Sequence, residues 1–368
     1  MKMKTSRIIA TITASFLIGG ALHAQAWKAK AISDMNKGDF AKVEQTISKL
    51  SQEEQNKHAW LIDSLQAMMS RIRDDFRLSR EEGKKLLLEK VPGATDKQIE
   101  AWKQKKYLET RMIDGEERWF RKTISNFALL NKDVYPTEIV QGKKKEYAKV
   151  HPMCEHILTQ KLEENNTCDW KKVNATFYIE VPADAVPAGE TIKAWLPYPF
   201  DNGRQRNFQL LSSSSQATHS SGSLHHTVYM EQKAVKGQPT RFEMKFSYEV
   251  GAQVFHQADI LKNLKPYDKQ SDLYKKFTAQ ELPHMLVNKQ MKTLAQKIVG
   301  AETNPVLQAS LIYDWISANY PWAGAIDYST IPCIPQYVLD INHGDCGQVT
   351  LLYISLLRSL GIPARWES

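Results

Sequence analysis

The residue best placed to do chemistry is Cys346, in the run His343-Gly344-Asp345-Cys346-Gly347-Gln348-Val349-Thr350. Apolar residues recur at Val349, Leu352, Tyr353, Leu356, Leu357 and Leu360, the spacing of a helix that buries one face. Gly361 and Pro363 stop that helix and Asp345 is its N-cap, which puts Cys346 at the first helical position. Unpaired N–H groups and the positive end of the helix dipole favour a thiolate there, and the thiolate is the nucleophile. The same first-turn N–H groups, that of Gly347 among them, are candidate donors to an oxyanion. The neighbouring Asp345 carboxylate opposes the thiolate unless its charge turns toward the capping N–H groups.

The run Gly344-Asp345-Cys346-Gly347, the helix after it and the turn Leu360-Gly361-Ile362-Pro363-Ala364-Arg365 closely resemble the nucleophile segment of the transglutaminase-like superfamily, relatives of the papain-like cysteine proteases. The resemblance covers about residues 172–368 and is firmest over 305–365. It implies acyl transfer through a thioester on Cys346, with a protein or peptide amide as substrate and no cofactor. Water as the second reactant makes an amidase or protease; an amine makes a protein-glutamine transglutaminase. The family also places an aromatic segment between the preceding helix and the cysteine, which makes Trp322 the oxyanion candidate and Tyr320 the second. Its histidine and aspartate follow the cysteine on strands. Here 22 residues follow Cys346 and none is histidine, so the expectation is a chain that stops mid-domain and is inactive alone. His343 stands just before the helix, where the family does not carry its base. Without later strands, Leu352, Leu356 and Leu360 are expected to lie uncovered. The rival reading is a non-catalytic exported binding or scaffold protein with a degenerate transglutaminase-like core.

At 368 residues and 42% hydrophobic composition the chain has material for two or three packed domains. Lys2, Lys4 and Arg7, the apolar stretch from Ile8 to Leu22 and Ala24-Gln25-Ala26 read as a secretory signal, residues 1–26, so the expected location is periplasmic or extracellular. Its removal lowers the formal net charge from +8 to +5, and no later segment approaches a membrane span. Export and modest charge argue against a nucleic-acid partner, and Lys143-Lys144-Lys145 reads as a solvated surface. Cys154 and Cys168 are close enough in sequence to close a small disulfide loop worth on the order of 3 kcal/mol. Cys333 reads as structural or free. Nothing in the sequence signals an oligomeric state.

The elements that must position Cys346 define the expected fold, a multidomain α+β chain. Residues 27–150 form a helical N-terminal region. Within it, two helices lie between 27 and about 70, and two more run from Ser79 to Lys90 and Thr95 to Lys105. A hairpin follows around Asp114-Gly115, and helices followed by a hairpin resemble a winged helix. Residues 151–270 alternate with period two at 175–181, 191–197, 227–230 and 241–250, which predicts a β-sandwich. Ser212 to Ser215, Ser220, Ser221 and Ser223 mark a flexible loop there. His219, His225 and His226 lack companion ligands, so no metal site is expected. Residues 271–368 are the N-terminal part of a papain-like transglutaminase core. Asn288–Val299 is one helix, and Asn304 caps a second that turns Leu307, Leu311, Trp315 and Ile316 inward.

Overall fold

The computed structural model describes residues 26–132, 134, 151–221 and 226–366. The stretch read as a secretory signal, up to residue 25, Lys143-Lys144-Lys145 and His225 lie outside them. The chain divides into two units, Met1–Glu138 with Tyr267–Trp366, and Ile139–Pro266. The first differs from the division expected at residue 150, since the helical region and the C-terminal segment fold as one.

The helical region opens with α1 (26–37), α2 (Phe40–Ser48), α3 (Gln52–Lys57) and α4 (Ala59–Asp75), four helices where two were expected. Gly38 separates the first pair at φ 86° because an added Cβ would lie 2.0 Å from the Met112 carbonyl oxygen. Strand β1 (Leu78–Ser79), helices α5 (Arg80–Lys90) and α6 (Asp96–Gln104), strands β2 (Thr110–Ile113) and β3 (Glu116–Trp119) and helix α7 (Thr123–Leu130) follow. Ser79 and Thr95 cap α5 and α6, each in a full capping box with Glu82 and Gln98. Asp114 and Gly115 turn the β2–β3 hairpin with positive φ at both residues, and β1 adds itself to β3 as a third antiparallel strand.

The second unit carries α8 (His151–Leu158), β4 (Thr167–Val181), β5 (Thr191–Pro197), β6 (Gln205–Ser213), β7 (Ala217–Ser221), β8 (His226–Lys233), β9 (Thr240–Gln253) and α9 (Gln257–Lys262). Its strands form two antiparallel sheets, ordered β4-β9-β6 and β5-β8-β7. Phe242, Met244 and Phe246 of the first share one apolar cluster with Ala194, Leu196, Val228 and Met230 of the second. Period-two burial is carried by β9, the central strand, whereas Phe177, Tyr178 and Ile179 of the outer strand β4 are exposed. The serine-rich stretch read as a loop is divided: Ser212 and Ser213 end β6, Ser214 and Ser215 form the bend after it, Ser220 and Ser221 lie in β7, and Ser223 lies outside the described residues. Backbone pairing in the two strands overrides the weak strand preference of serine. The expected Cys154–Cys168 bond is not formed: both thiols are free, Cys154 exposed on α8 and Cys168 buried with its sulfur 3.8 Å from the Ile157 carbonyl oxygen. His219 and His226 rest against Tyr198 and Phe200 at ring separations of 5.0 and 4.6 Å.

The C-terminal segment returns to the first unit with α10 (Asp272–Thr278), α11 (Lys289–Val299), α12 (Pro305–Asn319), α13 (Ile334–Ile341) and α14 (Cys346–Ser359). Asn288 caps α11 and Asn304 caps α12, with Pro305 at its start. In α12 the buried face is Ile312 and Ile316, and Leu311 points outward, 40% exposed. Leu352 and Leu356 of α14 are fully buried and Leu360 half-buried, packed with Met291, Ala295, Ile312 and Val338. The expectation that they lie uncovered is therefore overturned, because the helices before α14 supply the cover. Phe40, Leu65, Met69, Ile72 and Phe120 of the helical region belong to the same cluster. Among the described residues no helix is long and apolar enough to cross a membrane.

Candidate active site

Cys346 is the first residue of α14, exposed and free. Asp345 is its N-cap in extended backbone (φ −81°, ψ 179°) and forms a capping box with Gln348. The Gln348 amide donates 3.0 Å to Asp345 Oδ1, and the Asp345 amide donates 3.2 Å to Gln348 Oε1. Gln348 is 1% exposed, and its Nε2 is buried without a partner. The box consumes the third N–H of the first turn, so the amides of Cys346 and Gly347 have no partner within the helix.

Tyr328, which sequence reasoning missed, donates its hydroxyl to Asp345 Oδ1. Burial and that carboxylate both hold the Tyr328 hydroxyl well above its ordinary range, so it stays a donor. The local signal was Gly347 itself. A Cβ at that position would stand 2.2 Å from the Tyr328 hydroxyl and 3.0 Å from the Trp366 ring, so glycine is what lets the tyrosine reach the cap.

Trp322, 58% exposed, is brought beside the nucleophile turn by a parallel bridge to Gly344. The Ala323 amide donates 3.1 Å to the Gly344 carbonyl, and the Gly344 amide donates 3.3 Å to that of Pro321. Asn126 on α7 fixes the same segment with both ends of its buried amide, each 2.8 Å from the Gly324 backbone. Tyr320 goes elsewhere. It packs on Trp315 at 5.3 Å and lines a groove with Leu294, Lys297 and Leu339 that does not include Cys346.

His343 is 4% exposed, its Nδ1 donating 2.9 Å to the Ile341 carbonyl. It lines a cavity with Glu109, Tyr337 and Ile341, in which Cys346 takes no part. Desolvation lowers His343 to about 4, which suits a neutral structural ring rather than a base working near neutrality. Glu109, hydrogen-bonded by the Tyr337 hydroxyl, is raised by desolvation to about 7. Cys333 is half-buried at the start of α13. No group of three or more metal-ligating side chains occurs among the described residues.

Glu109 and His343 pull stability in opposite directions with pH. A carboxyl raised from 4.5 to about 7 contributes stability fully below pH 4.5 and loses it as pH rises to about 7. An imidazole lowered from 6.5 to about 4 contributes stability fully above 6.5 and loses it as pH falls to about 4. The two slopes oppose over most of that window. Thermal unfolding from pH 4 to 7 should therefore show a positive slope in Glu109→Gln that the unsubstituted protein partly cancels. Identical pH profiles for the two proteins would contradict this.

Residues 292–368 match the model of the transglutaminase-like superfamily core. That segment is transglutaminase-like. The match takes in most of α11, all of α12 to α14 and the Gly361–Arg365 turn, so the transglutaminase-like segment ends the same unit that the helical region begins. An uncharacterised protein of Haemophilus influenzae is 32% identical over 88 residues, which cover 23% of this chain and 23% of that protein. The crystal structure of a proposed cysteine protease from Cytophaga hutchinsonii is similar at TM-score 0.39 and 19% identity, over 54% of this chain and 65% of that one. The chain thus spans about a quarter of the first relative's length and just under two thirds of the second's.

Proposed function

We propose that this chain carries the nucleophile of an exported thiol acyltransferase acting on protein or peptide amides. The observation that carries the reading is Cys346 exposed at the first position of a capped helix, with two first-turn amides that have no partner within the helix. The thiolate attacks the carbonyl carbon, first-turn N–H groups and Trp322 receive the oxyanion, and the C–N bond breaks as the amine leaves with a proton. A thioester on Cys346 remains. Water then adds to it and the thiolate departs, which completes hydrolysis; an amine in place of water completes transamidation. Hydrolysis is the preferred branch for an exported protein. The base and the group that orients it are proposed to be a histidine and an aspartate, as in the family, and His343, buried in another cavity, does not serve as that base.

The test is to incubate the full-length protein with peptide amides, with and without added primary amine, and to map Cys346 by mass spectrometry. An acyl adduct on Cys346 together with released amine is expected, and the fate of the acyl group separates the two branches. Finding neither adduct nor released amine would leave the binding or scaffold reading in its place.

A further inference from the structure

We infer that the helical region of residues 26–132 is a positioning element of the Cys346 site, acting through the turn that aims Tyr328 at Asp345. The inference deepens the reading of Cys346 as the reacting thiol and rests on it.

Asp75, the last residue of α4, is 2% exposed. Its Oδ2 accepts from the Asp327 amide at 2.6 Å, while its Oδ1 accepts from Arg121 Nε at 3.0 Å. One turn earlier on α4, Arg71 Nη1 donates 2.6 Å to Ser329 Oγ. Ser329 in turn gives its hydroxyl and its amide to Asp327 Oδ1, at 2.6 and 2.9 Å. The turn Tyr328–Thr330 is thereby gripped on both sides of the tyrosine. Tyr328 passes the grip on, because its hydroxyl and the Gln348 amide meet the same oxygen of Asp345.

Two donors on one carboxylate oxygen draw the Asp345 charge toward themselves, which weakens a local feature opposed to a thiolate. The titratable and charged groups facing this turn are Asp345, the N-cap of α14, and Cys346 at its start, Asp327 and Tyr328 from the turn itself, and Arg71, Asp75 and Arg121 from the helical region. Asn126 holds the other approach to Cys346, through Gly324 and the Trp322 segment. Both backbone approaches are thus held by side chains of the helical region.

The test is the rate of Cys346 alkylation by iodoacetamide as a function of pH, with peptide mapping to separate it from exposed Cys154. Tyr328→Phe removes only the hydroxyl. Its profile should move to higher pH and its rate at neutral pH fall roughly three- to tenfold, since the thiolate fraction below the midpoint drops about tenfold for each pH unit the profile moves. Asp75→Asn should move the profile the same way by less, and combining it with Tyr328→Phe should add nothing, because both act through one oxygen. If Asp75→Asn does not fold, exposed Arg71→Ala takes its place in the cycle. An unmoved profile in folded Tyr328→Phe, or fully additive shifts in the double variant, would overturn the inference. Alkylation reports the thiol without turnover, so the two readings fail separately. Coupled shifts in a protein that never cleaves an amide sink the catalytic reading alone; Cys346-dependent turnover with an unmoved profile sinks this one alone.

Discussion

Cys346→Ala should leave the fold intact and remove amide turnover from the full-length protein. The side chain is exposed, alanine is a good helix former, and the capping box runs between Asp345 and Gln348 without using residue 346, so the stability change should stay within about 0.5 kcal/mol. The rate effect is of another order. Removing a covalent nucleophile costs on the order of 10⁶-fold in turnover, because the remaining groups only bind and polarise the substrate. Circular dichroism and thermal unfolding check the first half, and product release under saturating peptide amide checks the second. Equal turnover by the alanine variant would show that another group attacks.

Arg358→Leu should cost about 2–6 kcal/mol, the largest stability loss expected from a polar position of α14. The guanidinium is 3% exposed at the far end of the helix from the thiol. Its Nε donates 2.8 Å to the Ala364 carbonyl, and its Nη1 donates to the Ala279 carbonyl at 2.7 Å and to Glu281 Oε1 at 2.6 Å. Glu281 is 54% exposed, and such an ion pair is worth at most about 1 kcal/mol. The carbonyls are different: each loses a charged donor, at about 1–3 kcal/mol apiece. Chemical denaturation of Arg358→Leu beside Glu281→Gln separates the contributions, and Glu281→Gln should lie within about 1 kcal/mol of the unsubstituted protein. Equal losses in the two variants would put the energy in the ion pair and contradict the assignment.

What the sequence made legible is what is local. Ser79, Thr95, Asn304 and Asp345 all cap the helices they were read to cap, because a cap is decided by three or four neighbouring residues. Cys346 was legible for the same reason. Tyr328 was not, since its partner lies 17 residues on, and the pairs Asn126–Gly324, Asp75–Asp327 and Glu109–Tyr337 are separated by 198, 252 and 228 residues with no pattern linking them. The same distance hid the cover over Leu352 and Leu356. Leu311 was misplaced for a narrower reason, as α12 is apolar on several sides and spacing alone does not choose between Leu311 and Ile312.

The first unit is built from both ends of the chain, with Ile139–Pro266 folded between them. During synthesis the ribosome delivers Phe40, Leu65, Met69 and Phe120 well before Met291, Ile312 and Leu352, the residues that share their cluster. At roughly 5–20 residues per second that interval lasts on the order of ten seconds or more. For that time the nascent helices carry an apolar face with its second half still unmade, and closing the intervening loop afterward costs roughly 4 kcal/mol of chain entropy. A newborn chain of this topology is a natural client for holding chaperones, and its intervening unit can finish folding before the unit that encloses it in sequence.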